Sequence, residues 1–360
     1  MFISWGIIQT ALELGLIYAL VALALFLSYS MLNVCDLSTD GCYTLGCAVG
    51  SVVALAGHPV LAIFAAMGAG VLSGLVTSLL QTKLGVESLL AGIIVNTGLY
   101  TINISIMGKS TLSLNDTDTV FTFAKALLAD TPLADFYKLI VVLVFVVLVA
   151  ALLLFFLGAR LGLSLRAAGN NPDMIKSSSI NPGAMVVIGL CISGAITGLA
   201  GCLIGEYNKT CDINMGTGMV TVALASLIIG ETIFGKKAIP FRAVGVVIGA
   251  CLYRIVVGIA MRFDLPASAL KLVSAIIVAV AISYPTLIQL IRRKHRQFAA
   301  RGKSLYRTMA IAFALLTVVL VVLAVALAEH RAVLALLAVL SALACLWSVI
   351  QEKKGSGVKC

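Results

Sequence analysis

The stretch GETIFGKK, residues 230–237, holds a glycine, four residues, a glycine and a lysine, most of a phosphate-binding loop. In that loop backbone N–H groups cradle phosphate, the lysine reaches its outer oxygens, and a following Ser or Thr hydroxyl holds Mg²⁺. Here Lys237 stands in the hydroxyl's place, and Ala238-Ile239-Pro240 follows where a helix should open. The motif is incomplete, and ATP chemistry needs better support than this.

Polar groups concentrate in two other stretches. NVCDLSTDGCYTLG (33–46) carries Asp36 and Asp40 just before an apolar run, and EYNKTCDINMGTG (206–218) carries Glu206, Tyr207, Asn208 and Asp212 before another. Such residues can line a solute path at the ends of broken helices. They can equally be surface N-caps, Ser38 or Asp40 for one helix and Asp212 or Asn214 for the other. Asn96, Tyr100 and Asn103 fall at i, i+4 and i+7, one helical face. Asn inside an apolar run is costly without a partner or water, so this face lines a path or bonds a neighbouring helix. Arg254, beside Tyr253, either pairs with an acid such as Glu206 or snorkels to a boundary. Glu13 calls for a neighbour in the bundle, and Glu231 is expected to face the cytoplasm.

No catalytic constellation accompanies these groups. His58, His295 and His330 fall in expected loops, and the chain has no Ser/His/Asp, Cys/His or paired-carboxylate arrangement. Nine cysteines include no CxxC, and Cys191, Cys202, Cys251 and Cys345 lie in apolar runs as small hydrophobes. No metal, redox centre or cofactor is expected.

The elements that must hold these residues follow from composition. Of 360 residues, 61% are hydrophobic and 11% charged, with a mean hydropathy of +1.13. Soluble domains carry roughly a quarter charged residues. Apolar runs long enough to cross a bilayer recur along the chain, without the alternation of a β-barrel. The fold class is an all-α polytopic membrane protein. Spans are expected at 5–28, 41–57, 59–82, 88–107, 137–157, 185–205, 218–234, 243–261, 268–290, 308–328 and 332–350. That makes about nine core helices and a C-terminal two-helix hairpin. The first span lacks a basic leader region and reads as retained.

Placing 158–184 inside also places 83–87, 235–242, 291–307 and 351–360 inside, where most lysines and arginines lie. The N-terminus is then outside and the C-terminus inside. The net charge of +10 reflects this loop bias and anionic lipid, not nucleic acid. GETIFGKKAIPFR becomes a short turn in which Pro240 restarts a helix. The first span runs outside-in and the sixth inside-out, each followed by a polar break and another span. That is the pattern of an inverted repeat. Small-residue spacings at Gly68–Leu72–Ser73 and Gly194–Gly198–Gly201 read as helix-packing devices.

One loop has structure of its own: GLSLRAAGNNPDMIKSSSINPGAM, residues 162–185. Asn171 can cap a short helix, Pro172 suits its first position and Asp173 its positive end. PDMIKSSSI gives about two turns showing Met174, Ile175 and Ile180, and Asn181-Pro182 ends them. Such a helix is a docking element or lies on the membrane surface.

RAAGNNPDMIKSSSIN resembles the coupling loop of permease subunits in bacterial ABC importers, the branched-chain amino acid and ribose permease superfamily. LSYSMLNVCDLSTDGCYTLGCAVG, LLAGIIVNTGLYTINISIMGKS and ASLIIGETIFG look like the branch paired with tryptophan- and tyrosine-type binding proteins. The likeness covers about 5–290. It implies that Arg166, Asn170, Asn171, Asp173, Ile175 and Asn181 dock on a separate ATPase, and that Asp36 and Asp40 lie beside the translocation path. It implies two permeases, two ATPases and an extracytoplasmic solute-binding protein in the bacterial plasma membrane, with ATP bound only by the partner. The substrate class, an amino acid of aromatic type, rests on this resemblance. Residues 1–290 are then the permease domain, 291–307 a basic linker, and 308–360 an addition outside the family's pattern. A stand-alone carrier coupled to H⁺ or Na⁺ through Asp36, Asp40 or Glu13 is the alternative, but it has no need of the 166–181 helix.

Overall fold

In a membrane every backbone polar group needs an internal partner, so apolar runs of this length fold as helices. The computed structural model describes residues 5–115, 117–127, 136–234, 238–261 and 279. Helix α1 (Trp5–Leu25) widens into a π-helical turn, Phe26–Met31. After an irregular break come α2 (Thr39–Leu55), α3 (Pro59–Thr82) and α4 (Ser88–Met107). A short strand, β1 (Thr111–Ser113), and α5 (Val120–Leu127) lead to α6 (Tyr137–Gly158). Then follow α7 (Arg160–Asn170), α8 (Pro172–Ser177), α9 (Pro182–Asn208), β2 (Thr210–Asp212), α10 (Met219–Phe234) and α11 (Ile239–Met261).

Among the described residues six helices are long and apolar enough to cross a membrane, and α2 and α10 are shorter apolar helices. The first eight expected spans therefore each have their helix. The expected spans 268–290 (residue 279 apart), 308–328 and 332–350, and the linker 291–307, lie outside the described residues. Two segments between the expected spans carry structure of their own. Residues 108–135 contribute β1 and α5, and β1 pairs antiparallel with β2, Leu112 opposite Cys211. Residues 160–170, expected as loop, form α7.

Helix α9 is the central element, with α2 and α3 packed along it. Small residues let the backbones meet. A Cβ on Gly46 of α2 would overlap the backbone of Gly198, and one on Gly70 of α3 would overlap Gly194. Gly201 likewise abuts the Tyr43 carbonyl, so the expected Gly194–Gly198–Gly201 stripe is the packing face. The other expected stripe is corrected. Gly68 has nothing within 4 Å and Leu72 is exposed, while Gly70 and Gly74, one helical turn apart, meet α9. Helix α6 buries Val142, Val146, Val149 and Leu153 and exposes Val144, Val147, Leu152 and Phe155. A helix apolar on both its buried and its exposed face belongs in lipid.

Candidate functional site

The two polar breaks meet. In the first, Asp36 is buried and its Oδ1 accepts from the Ser38 N–H at 2.9 Å and the Ser38 hydroxyl at 2.6 Å. Thr77 on α3 adds its hydroxyl to Ser38 Oγ at 3.2 Å. Asp36 therefore shapes the turn that starts α2. Asp40, one turn further, does not cap its own helix. Its Oδ2 accepts from the Gly218 N–H at 3.0 Å and its Oδ1 from the Val220 N–H at 2.8 Å, so it caps α10. Thr44 Oγ1 accepts from the Gly216 N–H at 3.2 Å, a second tie between the breaks. The first turns of α2 and α10 are thus laced together by side chains of α2.

Beside this junction lies a cavity of about 290 Å³. It is lined by Asp40 and Thr44 of α2, by Asn96, Tyr100 and Asn103 of α4, and by the second break at Asn214 and Thr217. Gly41 brings the walls together, since a Cβ there would come within 2.7 Å of Asn96 Oδ1. Asn103 is 1% exposed and donates from Nδ2 to the Gly41 carbonyl at 3.2 Å. Its Oδ1 is buried with no hydrogen-bond partner among the described residues.

Of the residues expected along a solute path, the structure brings Asp40, Asn96, Tyr100 and Asn103 to this cavity and sets the others elsewhere. Asp36 is held in the turn. Tyr207 donates its hydroxyl to Glu13 Oε2 at 2.7 Å, beneath the Lys138 ammonium 4.5 Å from its ring and edge-on to Phe121. Asn208 ends α9, exposed. Asp212 accepts from Thr111 Oγ1 at 2.9 Å and the Asn214 N–H at 2.8 Å, closing the β1–β2 ribbon. Thr44 was missed, although it follows Asp40 by one helical turn. Thr217 was missed as well, since a threonine in a turn carries no signal of its own.

The charged groups of the bundle find partners near at hand. Glu13 also accepts from Gln9 Nε2 at 3.1 Å, as its place in the bundle requires. Glu206 accepts from the Val120 N–H at 2.8 Å and so caps α5, not Arg254. The Arg254 guanidinium lies over the Tyr18 ring, 4.9 Å from its centre. Glu231 does not simply face outward: it is ion-paired to Arg242, and Ser30 donates to it at 2.8 Å. Gly230 sits within α10, packed on Gly245, which rules out a phosphate loop opening there.

The expected docking helix exists as α8. Asn171 Oδ1 caps it, accepting from the Asp173 N–H at 3.2 Å and the Met174 N–H at 3.1 Å. Asn170 and Asp173 are exposed and Arg166 is half-buried, while Asn181 caps α9 through the Gly183 N–H at 2.9 Å. The expectation that Ile175 is displayed is corrected. Ile175 is 3% exposed and joins the core, while Met174 is 62% exposed. Neighbouring residues of an α-helix point about 100° apart, so Met174 and Ile175 cannot both face the same way. Helix α7 abuts the base of the first break: a Cβ on Gly169 would overlap the Met31 carbonyl.

A family model described as branched-chain amino acid transport system / permease component matches residues 7–282. The chain belongs to this family of permeases. The tyrosine transport system permease protein of Clostridioides difficile (strain R20291) is 34% identical over 274 residues, 76% of this chain and 89% of that protein. An uncharacterized protein of Rickettsia prowazekii (strain Madrid E) is 32% identical over 282 residues, 77% of this chain and 97% of the relative. No solved structure matches the chain. The permease is accordingly a multi-pass membrane transport component of the ABC type, with its junction of breaks and its capped α8 both inside the matched region.

Proposed function

We propose that the permease forms the translocation path for a small amino acid, of aromatic type, and couples it to ATP hydrolysis in a separate subunit. The observation that carries this is the junction, where the first turns of α2 and α10 meet beside a polar cavity. Helix α4, 20 residues or roughly 30 Å long, matches the thickness of the hydrocarbon core. Asn96 stands roughly 12 Å along it, near the middle, and Asn103 roughly 22 Å along it, one helical turn before its end. Backbone broken at such depth is tolerated where it is enclosed or lines a wet space. α1 and α9, each followed by a break and a second helix, are the two halves of an inverted repeat in this reading.

The remaining parts follow from the same reading. The N-terminus lies outside and the C-terminus inside the bacterial plasma membrane, as the basic loops favour. An ATPase docks on α7 and α8 through Arg166, Asn170, Asp173 and Met174, and alone binds ATP. A solute-binding protein delivers the substrate outside, and two permeases pair. Gly169 against Met31 supports a mechanical route, because a push on α7 reaches the break that leads to Asp40. ATP-driven closure of the ATPases would move that element and switch the cavity's access. Residues 1–290 carry this activity without need of 308–360, and the basic residues of 291–307 attract anionic lipid.

The test is an Arg166→Ala, Met174→Ala double variant in a complex reconstituted with its ATPase. Loss of substrate-stimulated hydrolysis with unchanged expression is expected. Full coupling in the double variant overturns the docking assignment. Solute uptake driven by an imposed ion gradient without any ATPase would instead assign the chain to ion-coupled carriers.

A further inference from the structure

We infer that the cavity at the junction is a receptor for a primary ammonium group, with Asn103 Oδ1 and the Asp40 carboxylate as its acceptors. The inference deepens the reading above and rests on the cavity being the solute's path. Three observations carry it.

Asn103 Oδ1 is a buried acceptor with no partner among the described residues, on a residue that lines the cavity. Leaving a buried acceptor unmade is costly, so the site favours a ligand that brings a donor. The side chain cannot solve this by turning over. The amide nitrogen already donates to the Gly41 carbonyl at 3.2 Å, and a flip would set two oxygens face to face.

The cavity's charge has one sign. Asp40 is the only carboxylic acid among its described lining residues, and no Lys, Arg or His is among them. Asp40 gives one lone pair of each oxygen to α10 through Gly218 and Val220, which leaves acceptor capacity toward the cavity. An ammonium carries three donors and no acceptor, the complement of these oxygens. A ligand carboxylate brought to the same wall would meet like charge and no basic side chain.

Size sets the third limit. About 290 Å³ lies at the lower edge of ligand pockets, roughly 300–1,000 Å³, and fits a single small solute. Tyr100, half-exposed at this wall, offers a ring face to an apolar or aromatic body.

The test uses the purified full-length permease in lipid nanodiscs and three probes: L-tyrosine, tyramine, which lacks the carboxylate, and 4-hydroxyphenylpropanoate, which lacks the ammonium. Calorimetry should show the two amines binding at least tenfold more tightly than the des-amino acid. Asn103→Leu should remove that preference, and Asn208→Leu at the far end of α9 should keep it. Equal binding of all three probes to the wild-type chain, which needs no variant to fold, overturns the assignment. So does a folded Asn103→Leu protein that still prefers the amines by tenfold. Absence of binding by any probe also overturns it, while leaving ATPase coupling to stand or fall on the α8 experiment.

Discussion

Replacing Asp40 tests the junction directly. Its carboxylate accepts from Gly218 N–H at 3.0 Å and from Val220 N–H at 2.8 Å. Hydrogen bonds to a charged group contribute about 1.5–3 kcal/mol each, and an anion at a helix N-terminus adds up to about 2 kcal/mol. These terms overlap, because the two N–H groups are themselves the positive end of the helix. A combined loss of about 2–4 kcal/mol is expected for Asp40→Ala. Asp40→Asn keeps one acceptor oxygen but turns an NH₂ group toward the other N–H, so about 1–2 kcal/mol is lost. At about 1.4 kcal/mol per tenfold, the alanine variant should speed hydrogen exchange across 214–222 by about 25- to 700-fold. Mass spectrometry of the protein in nanodiscs reads this, with α6 peptides as the internal control. Exchange within threefold of wild type in Asp40→Ala, or equal exchange in the two variants, refutes the idea that this carboxylate holds the start of α10.

Gly46→Val should overpack the α2–α9 contact and cost at least about 3 kcal/mol, since its Cβ alone would overlap Gly198. Gly68→Ala, with nothing within 4 Å of the added carbon, should leave thermal stability in detergent unchanged. Arg242→Ala should destabilise by about 1–3 kcal/mol by leaving Glu231 half-buried and unpaired, and pairing it with Glu231→Gln should recover part of that loss in a double-variant cycle. Truncation after Gln297 should leave substrate-stimulated hydrolysis in the reconstituted complex intact, and its loss in a folded truncation would make the added segment part of the mechanism.

Residue type and periodicity determined the membrane class, the positions of the first eight apolar helices and the capped helix at Pro172–Ser177, while the family came from the resemblance of RAAGNNPDMIKSSSIN and the segments like it. These are local properties. An apolar run must be helical in lipid, and Asn171-Pro172-Asp173 caps a helix wherever it sits. The i, i+4, i+7 spacing of Asn96, Tyr100 and Asn103 likewise forecast a shared wall, because one helix fixes it. Partnership was not legible. Asp36 and Asp40 look alike in the sequence, yet one folds back on Ser38 and the other reaches Gly218 and Val220, 178 and 180 residues away. Glu231 and Arg242 differ in the same way from Glu206 and Arg254: only the first two meet. Ile175 and Met174 are neighbours of similar hydrophobicity, and only the angle of α8 against the core sends one inward. Composition sets which groups need a partner, because burial is costly for any polar atom. Which partner each one meets depends on how α2, α4, α9 and α10 cross, and that is decided where glycines let their backbones touch.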